Sequence, residues 1–235
     1  MSVLYLVPTL LSDNTIPQQV LTPHTIAMIH SLKQFIVEDI RTARRFLSKA
    51  AHPVPIDNMQ FRVLNEHTPE SEIAPLLPYL RTGDTGLISE AGVPCLADPG
   101  SQIVRLAHAN GISVVPLIGT SSILMALIAS GLNGQSFSFV GYLPVKQNER
   151  QDRLRALERR SEKEHQTQIF IETPYRNMQL LNDIVQCCRS ETMLTIAADI
   201  TGVHQFILTQ SIGKWRKKLT ELNLNKIPAV FLLQA

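Results

Sequence analysis

The sequence predicts a two-domain α/β fold, with a mostly parallel first sheet and a mixed second sheet. Three observations carry this. Short runs rich in Val, Ile, Leu and Phe alternate with helical segments through the first half, which is the pattern of a parallel sheet covered by helices. The polar, glycine-containing stretch "SGLNGQS" (130–136) then reads as a linker. Beyond it the strand candidates lengthen, and two of them flank a turn at Gly202. The domains are accordingly set at 1–133 and 134–235. With 235 residues, 44% of them hydrophobic, the chain is long enough to bury a core in each half.

The elements follow in order. "VLYLV" (3–7), "QFIVE" (34–38), "FRVLN" (61–65), "TGLIS" (85–89) and "SVVPLI" (113–118) read as strands with helices between them. Asp98 before Pro99 has the form of an N-cap followed by proline at the first helical position, and Gly111 closes the same segment, so a helix is expected from Pro99 to Asn110. "SSILMALIASGL" forms a further helix after the loop "PLIGTSS". In the second half, "SFSFVGYL" (136–143), "TQIFIE" (167–172), "TMLTIAADI" (192–200), "HQFILTQSI" (204–212) and "PAVFLLQA" (228–235) are the strand candidates. Helices fit "NERQDRLRALERRSEK", "PYRNMQLLNDIVQCC" and "GKWRKKLTEL", the middle one entered through Thr173 and Pro174.

Several chemistries are excluded by what these segments lack. The seven histidines and three cysteines do not fall at metal-ligand spacing, so no metal site is expected. No nucleophile elbow, phosphate-loop lysine motif or dinucleotide fingerprint is present. An odd cysteine count that includes the adjacent pair Cys187 and Cys188 suits a reducing compartment, and no apolar stretch approaches membrane-spanning length, so a cytoplasmic protein without a membrane partner is expected. The glycines and prolines concentrate instead in loops at strand ends, above all "SEAGVP" and "ADPG". In open α/β sheets these loops are the default ligand surface.

"LISEAGVPCLADPG", "VVPLIGTSSILMALIASGL", "GYLP", "IETPYR" and "IVEDIRTARRFL" stand together in an order that resembles the tetrapyrrole methylase superfamily, and within it the ribosomal RNA small subunit methyltransferase I group. The resemblance implies a tetrapyrrole methylase-like fold, S-adenosylmethionine as methyl donor, a cytidine ribose 2′-hydroxyl of small-subunit ribosomal RNA as acceptor, and a homodimer. It also implies a cofactor cleft between the domains. The residues that match are Ser89, Glu90, Ala91 and Gly92, then Gly119, Thr120, Ser121 and Ser122, with second-domain contributions from Phe170, Ile171, Ala198, Ile200, Pro228 and Ala229. Such a ligand calls for close backbone approach, hydroxyl and amide partners, and carboxylates. Two departures stand out: the first loop, "VPTLLSDNTIP", contains no glycine, and "AADIT" occupies the place of a charged stretch. They leave two alternatives open, a porphyrin or corrin methylase and a catalytically inactive S-adenosylmethionine-binding protein.

Net charge is only +2, so the distribution of charge matters more than its sum. Arg41, Arg44 and Arg45 lie beyond a strand end with few interleaved acids and are the expected RNA-binding residues, whereas the basic run at 150–160 is interleaved with acids. Methyl transfer to a hydroxyl requires positioning and a proton acceptor. Glu38, Asp39 and Glu172 lie at strand ends, and Asp39, Arg41 and Glu172 are taken as the catalytic candidates.

Overall fold

The computed structural model describes residues 2–235, which group into two units divided between Ser121 and Ser122. The first unit carries β1 (Val3–Val7), α1 (Pro17–Val20), α2 (Pro23–Ser31), β2 (Gln34–Val37), α3 (Ile40–Lys49), β3 (Gln60–Val63), α4 (Leu77–Arg81), β4 (Thr85–Ile88), α5 (Ser101–Ala109) and β5 (Ser113–Pro116). Its sheet runs β3-β2-β4-β1-β5, with every neighbouring pair parallel. All four residues of β2 and of β4 are buried, as central strands covered on both faces must be. Alternation divides their side chains. Phe35, Val37 and Ile88 pack with Ile29, Phe46 and Leu47 of α2 and α3, while Ile36 and Leu87 pack on the other face with Leu80, Ile103 and Ala107 of α4 and α5.

The expected helix from Pro99 is corrected by two residues, and its expected cap with it. Gly100 occupies the N-cap position at φ 130°, no side chain caps the helix, and α5 begins at Ser101. That dihedral lies outside the range open to most residues and turns the chain between Asp98 and the helix, so the Asp98 carboxylate is left for other contacts.

The second unit holds α6 (Ser122–Ser130), β6 (Phe137–Tyr142), α7 (Gln147–Glu164), β7 (Thr167–Ile171), α8 (Asn177–Cys187), β8 (Met193–Ala198), β9 (Phe206–Ser211), α9 (Ile212–Lys218) and β10 (Ala229–Gln234). Its sheet runs β6-β7-β10-β8-β9 and is mixed: β6 and β7 are parallel, the remaining pairs antiparallel. The hairpin at Gly202 closes between Ala198 and Phe206. Phe170 and Phe231 stack at 6.0 Å within a core that includes Leu154, Leu181 and Trp215. Trp215 is 1% exposed and its indole N–H donates to the Leu194 carbonyl at 2.9 Å.

Helix α6 groups with this unit because it packs on β9 and β10, and Thr209 Oγ1 donates to the Ser130 carbonyl at 2.7 Å. The stretch that reads as a linker is likewise tied to the second sheet. Asn133 N donates to Gln234 Oε1 at 2.7 Å, and Thr167 Oγ1 donates to the Asn133 carbonyl at 2.9 Å. A polar, glycine-containing segment can be anchored as firmly as any other once its amides find partners. Helix α8 is entered through a 3₁₀ turn, Pro174–Arg176, with Thr173 at the N-cap position but without a side-chain cap bond. Helices α7 and α8 are joined by a buried ion pair, Arg150 to Asp183 at 2.5 Å, with both side chains 1% exposed.

Candidate functional site

In the first unit, the parallel order places the carboxyl ends of β2, β4, β1 and β5 side by side, and the loops that follow them are stitched together. Thr9 N donates to the Gly92 carbonyl at 2.8 Å, and Thr120 Oγ1 donates to the Thr9 carbonyl at 2.9 Å, so the loops after β1, β4 and β5 meet at Thr9. Gly92 has φ 76°, and a Cβ there would lie 3.1 Å from Leu11. At Gly119 a Cβ would lie 2.2 Å from the Pro8 ring, so only glycine allows the β1 and β5 loops this approach. Thr120 and Ser121 are buried beside it. Ser122, the first residue of α6, belongs to the second unit.

The β2 and β4 ends carry acids. Val37 is in register with Ile88, which sets Glu38 beside Ser89. Glu90 N donates to Glu38 Oε2 at 3.2 Å. Burial pushes the Glu38 carboxyl up, the Glu90 amide opposes this, and the charges of Asp98, Glu90 and Glu66 add to the rise. Burial also pushes Asp98 up, with the neighbouring Ser89 hydroxyl opposing and Glu90 reinforcing. Ser89 itself is 3% exposed, and its Oγ is buried without a partner at hydrogen-bonding geometry. Between Ser89 and Gly100 the chain adopts positive φ at Gly92, Cys95, Ala97 and Gly100, two of them residues with a Cβ, so the loop holds a costly conformation. Ala91 sits exposed within it.

The other candidates in this unit are placed differently. Asp39 is the N-cap of α3: its Oδ1 accepts from Thr42 N at 2.7 Å, and bonding to Thr42 holds its carboxyl below the usual range. Arg41, Arg44 and Arg45 all lie on the exposed side of α3, whose buried face is Ala43, Phe46 and Leu47. Arg44 is paired at 3.3 Å with Asp57, an acid thirteen residues away that its helix alone does not reveal, and it stands over the Phe61 ring.

In the second unit, the ends of β7, β8 and β10 converge. Ala229 is in register with Ala198, Val230 with Ile171, and Asp199 N donates to the Pro228 carbonyl at 2.9 Å. This gathers Ile171, Ala198, Ile200, Pro228 and Ala229 at one end of the sheet. Phe170 is fully buried against Phe231, so its side chain serves the core. Glu172 is also buried: its Oε1 accepts from Thr173 N at 2.7 Å and from Arg176 at 2.6 Å, while Oε2 has no partner in the protein. Sequence reasoning did not single out Thr9 or Pro8. Only the meeting of three loops gives them a role.

No family model matches the chain. Among curated proteins it is 31% identical over 220 residues to the ribosomal RNA small subunit methyltransferase I of Pasteurella multocida, covering 93% of this chain and 74% of that one. Its counterpart in Vibrio cholerae is 32% identical over 87% of this chain and 67% of its own, and that of Bacillus subtilis 33% identical over 91% and 69%. The chain belongs to the ribosomal RNA small subunit methyltransferase I family. The solved structure of the methyltransferase CobJ superposes with a TM-score of 0.62 at 14% identity, covering 100% of this chain and 94% of that one. The cobalamin biosynthetic enzyme CbiF, a cobalt precorrin-4 methyltransferase, gives 0.59 at 12%, covering 98% and 94%. Both show the tetrapyrrole methylase fold.

A methyltransferase I family member is an S-adenosylmethionine-dependent enzyme, and the residues present suit that donor. Carboxylates at Glu38, Glu90 and Asp98 complement a cationic ligand, the orphaned Ser89 hydroxyl lacks the partner a ligand would supply, and Thr120 and Ser121 add hydroxyls. When bound, the donor supplies an electrophilic methyl group.

Proposed function

We propose that this methyltransferase I family member acts on small-subunit ribosomal RNA in the cytoplasm, methylating the ribose 2′-hydroxyl of a cytidine. The observation that supports the reading most is the family membership, through relatives named for that RNA. In this reading Ser89, Glu90, Ala91, Gly92, Gly119, Thr120, Ser121 and Ser122 hold the cofactor together with Phe170, Ile171, Ala198, Ile200, Pro228 and Ala229. Phe170 contributes through its backbone, since its ring is committed to the core. Arg41 and Arg45 meet RNA phosphates, with Arg44 joining them when the exposed Asp57 pair opens, an exchange that costs little because surface ion pairs are worth about 0–1 kcal/mol. Asp39 sets the pitch of that arginine face by capping α3, and Glu172 orients the β7 loop through Arg176.

A homodimer belongs to the same reading, and α6 offers a surface for it. Ile128 is 81% exposed on a helix composed almost wholly of apolar residues. Sedimentation should show a dimer that Ile128→Arg converts to monomer.

The function is tested by deleting the gene, isolating small-subunit RNA and mapping ribose methylation by mass spectrometry, then restoring wild-type or Arg41→Ala/Arg45→Ala protein. Loss on deletion and incomplete rescue by the double variant are expected. Methylation that survives deletion overturns the ribosomal assignment, and full rescue by the variant overturns the arginine surface.

A further inference from the structure

We infer that Tyr175, in the 3₁₀ turn after β7, is a stacking platform for an unpaired base of the substrate RNA, an assignment that rests on the RNA-methylating reading above. Apart from α6 and Phe137 at the start of β6, the large apolar or aromatic side chains that the second unit exposes are, among the described residues, Tyr142, Val145, Tyr175 and Val203. The sheet explains their grouping. Strands β6, β7 and β8 run one way and β10 runs against them, so the segments after β6, β7 and β8 and the segment before β10 share one end. All four exposed side chains stand at that end, where the packing of the unit gives them no work.

Tyr175 is 74% exposed, yet the turn that carries it is tied on both sides of the ring. The buried Glu172 takes three bonds on Oε1: from Thr173 N at 2.7 Å and from Arg176 Nε and Nη2 at 3.1 and 2.6 Å. Arg176 N donates to the Thr173 carbonyl at 2.9 Å, and Lys226 N donates to the Pro174 carbonyl at 3.1 Å. Asn177 Nδ2 then reaches the Ile227 carbonyl at 2.6 Å, so the β7 turn and the segment before β10 hold each other. An exposed ring on a loose loop loses conformational freedom when a ligand covers it. A ring on a fixed turn has little left to lose.

A rigid, solvent-facing aromatic ring suits a ligand with flat faces, and in RNA those faces are the unpaired bases, which proteins hold by stacking them on aromatic rings and guanidinium planes. The surroundings agree with an anionic strand. Exposed Lys226 takes φ 63° where its amide meets the residue before Tyr175, and Arg176 follows Tyr175 in the chain. Glu172 already offsets the charge of Arg176, so Lys226 is the cation left for a phosphate, and stacking supplies most of the affinity. Ile171, Ala198 and Pro228, which the reading above gives to the donor, lie at the same end of this sheet, so a base held on Tyr175 is held at the end where the methyl group is supplied.

Small ribosomal subunits from the deletion strain serve as methyl acceptor in the test. Tyr175→Ala should raise KM for the subunits by about 5- to 150-fold, the range spanned by removal of one base–aromatic stack, with kcat falling by a smaller factor. Tyr175→Phe keeps the ring and should recover most of that loss, which separates stacking from a hydrogen bond made by the phenol. Because the ring is exposed, thermal melting of Tyr175→Ala should match wild type, and its donor affinity by calorimetry should be retained. A readout independent of turnover is photocrosslinking: small-subunit RNA carrying 5-iodocytidine, irradiated on the wild-type protein, should be joined to Tyr175 in mapped peptides. An unchanged KM in Tyr175→Ala, or crosslinks that map only to other residues, overturns the inference and leaves the ribosomal reading standing. A Tyr175→Ala protein that sediments as a smaller species than wild type assigns the ring to a contact between copies of the chain and overturns it as well. Wild-type protein that leaves the subunits unmethylated overturns the functional reading, and this one with it.

Discussion

Replacing Asp183 with alanine is expected to destabilise the second unit severely. The Asp183 carboxylate accepts from Gln147 Nε2 at 2.9 Å, from Gln151 Nε2 at 3.0 Å and from Arg150 Nε at 2.7 Å. Arg150 in turn donates to the Val145 and Pro144 carbonyls at 2.6 and 3.2 Å, holding the loop that follows β6. Removing the carboxylate leaves a guanidinium that is 1% exposed without a counter-charge. Breaking such a pair from one side costs about 3–5 kcal/mol, against a total domain stability of about 5–15 kcal/mol. In a unit of this size that is a fall in Tm on the order of 10–20 °C, measurable by calorimetry. The double replacement Arg150→Met/Asp183→Leu should cost less than the single one, because no buried charge is left behind. Burial works to raise the Asp183 carboxyl, but hydrogen bonds from Gln147, Gln151 and Arg150 outweigh it and hold it low. The stability it contributes is thus present above about pH 4 and is lost as the pH falls through the lowered value, so wild type and Asp183→Ala should converge in acid. A Tm for Asp183→Ala within 2 °C of wild type at neutral pH, taken as an order-of-magnitude threshold, would refute the reasoning.

Three further outcomes follow from the strand-end loops and the cysteines. Gly119→Ala forces a methyl group into the Pro8 ring, and should weaken S-adenosylmethionine binding at least about tenfold by calorimetry, with overpacking costing about 1–3 kcal/mol. Unchanged affinity in the folded variant would detach the β5 loop from the cofactor. Gly92→Leu combines a disfavoured φ of 76° with contact on Leu11, and should abolish binding in protein whose second unit still melts normally. Iodoacetamide at pH 8 should label Cys187 first, because its bond with Cys188 draws it down against burial, while Cys95 and the buried Cys188 are pushed up. Peptide mapping that finds Cys95 modified first contradicts this.

β1, β2 and β10 were legible because each is a short, largely apolar run with a proline or charged residue at its edge, Pro8, Lys33 with Glu38, and Pro228, a signal local enough to read residue by residue. Helix α5 shows where such reading stops. Asp98-Pro99 carries the form of a cap, but Gly100 can reach a dihedral that aspartate cannot, and the chain used that freedom to begin the helix later. The loops of the candidate site were legible in the sequence, and the contacts between them were not. Thr9 meets Gly92 and Thr120 across 83 and 111 residues, a meeting made by parallel strand order and by nothing in the intervening segments. The same holds for charge. Arg44 stands on an acid-poor helix, yet its partner Asp57 arrives from beyond the helix end.

Trp215 is the chain's single indole and is enclosed in the second unit's core. Intrinsic tryptophan fluorescence is therefore a signal from residues 122–235 alone, whereas far-ultraviolet circular dichroism sums over the helices of both units. Urea titrations followed by the two methods give coincident midpoints only if the units unfold as one cooperative body. A free energy taken from the fluorescence curve belongs to the second unit, and an unfolding of the first unit, where the Thr9, Gly92 and Thr120 loops meet, would pass without a change in emission.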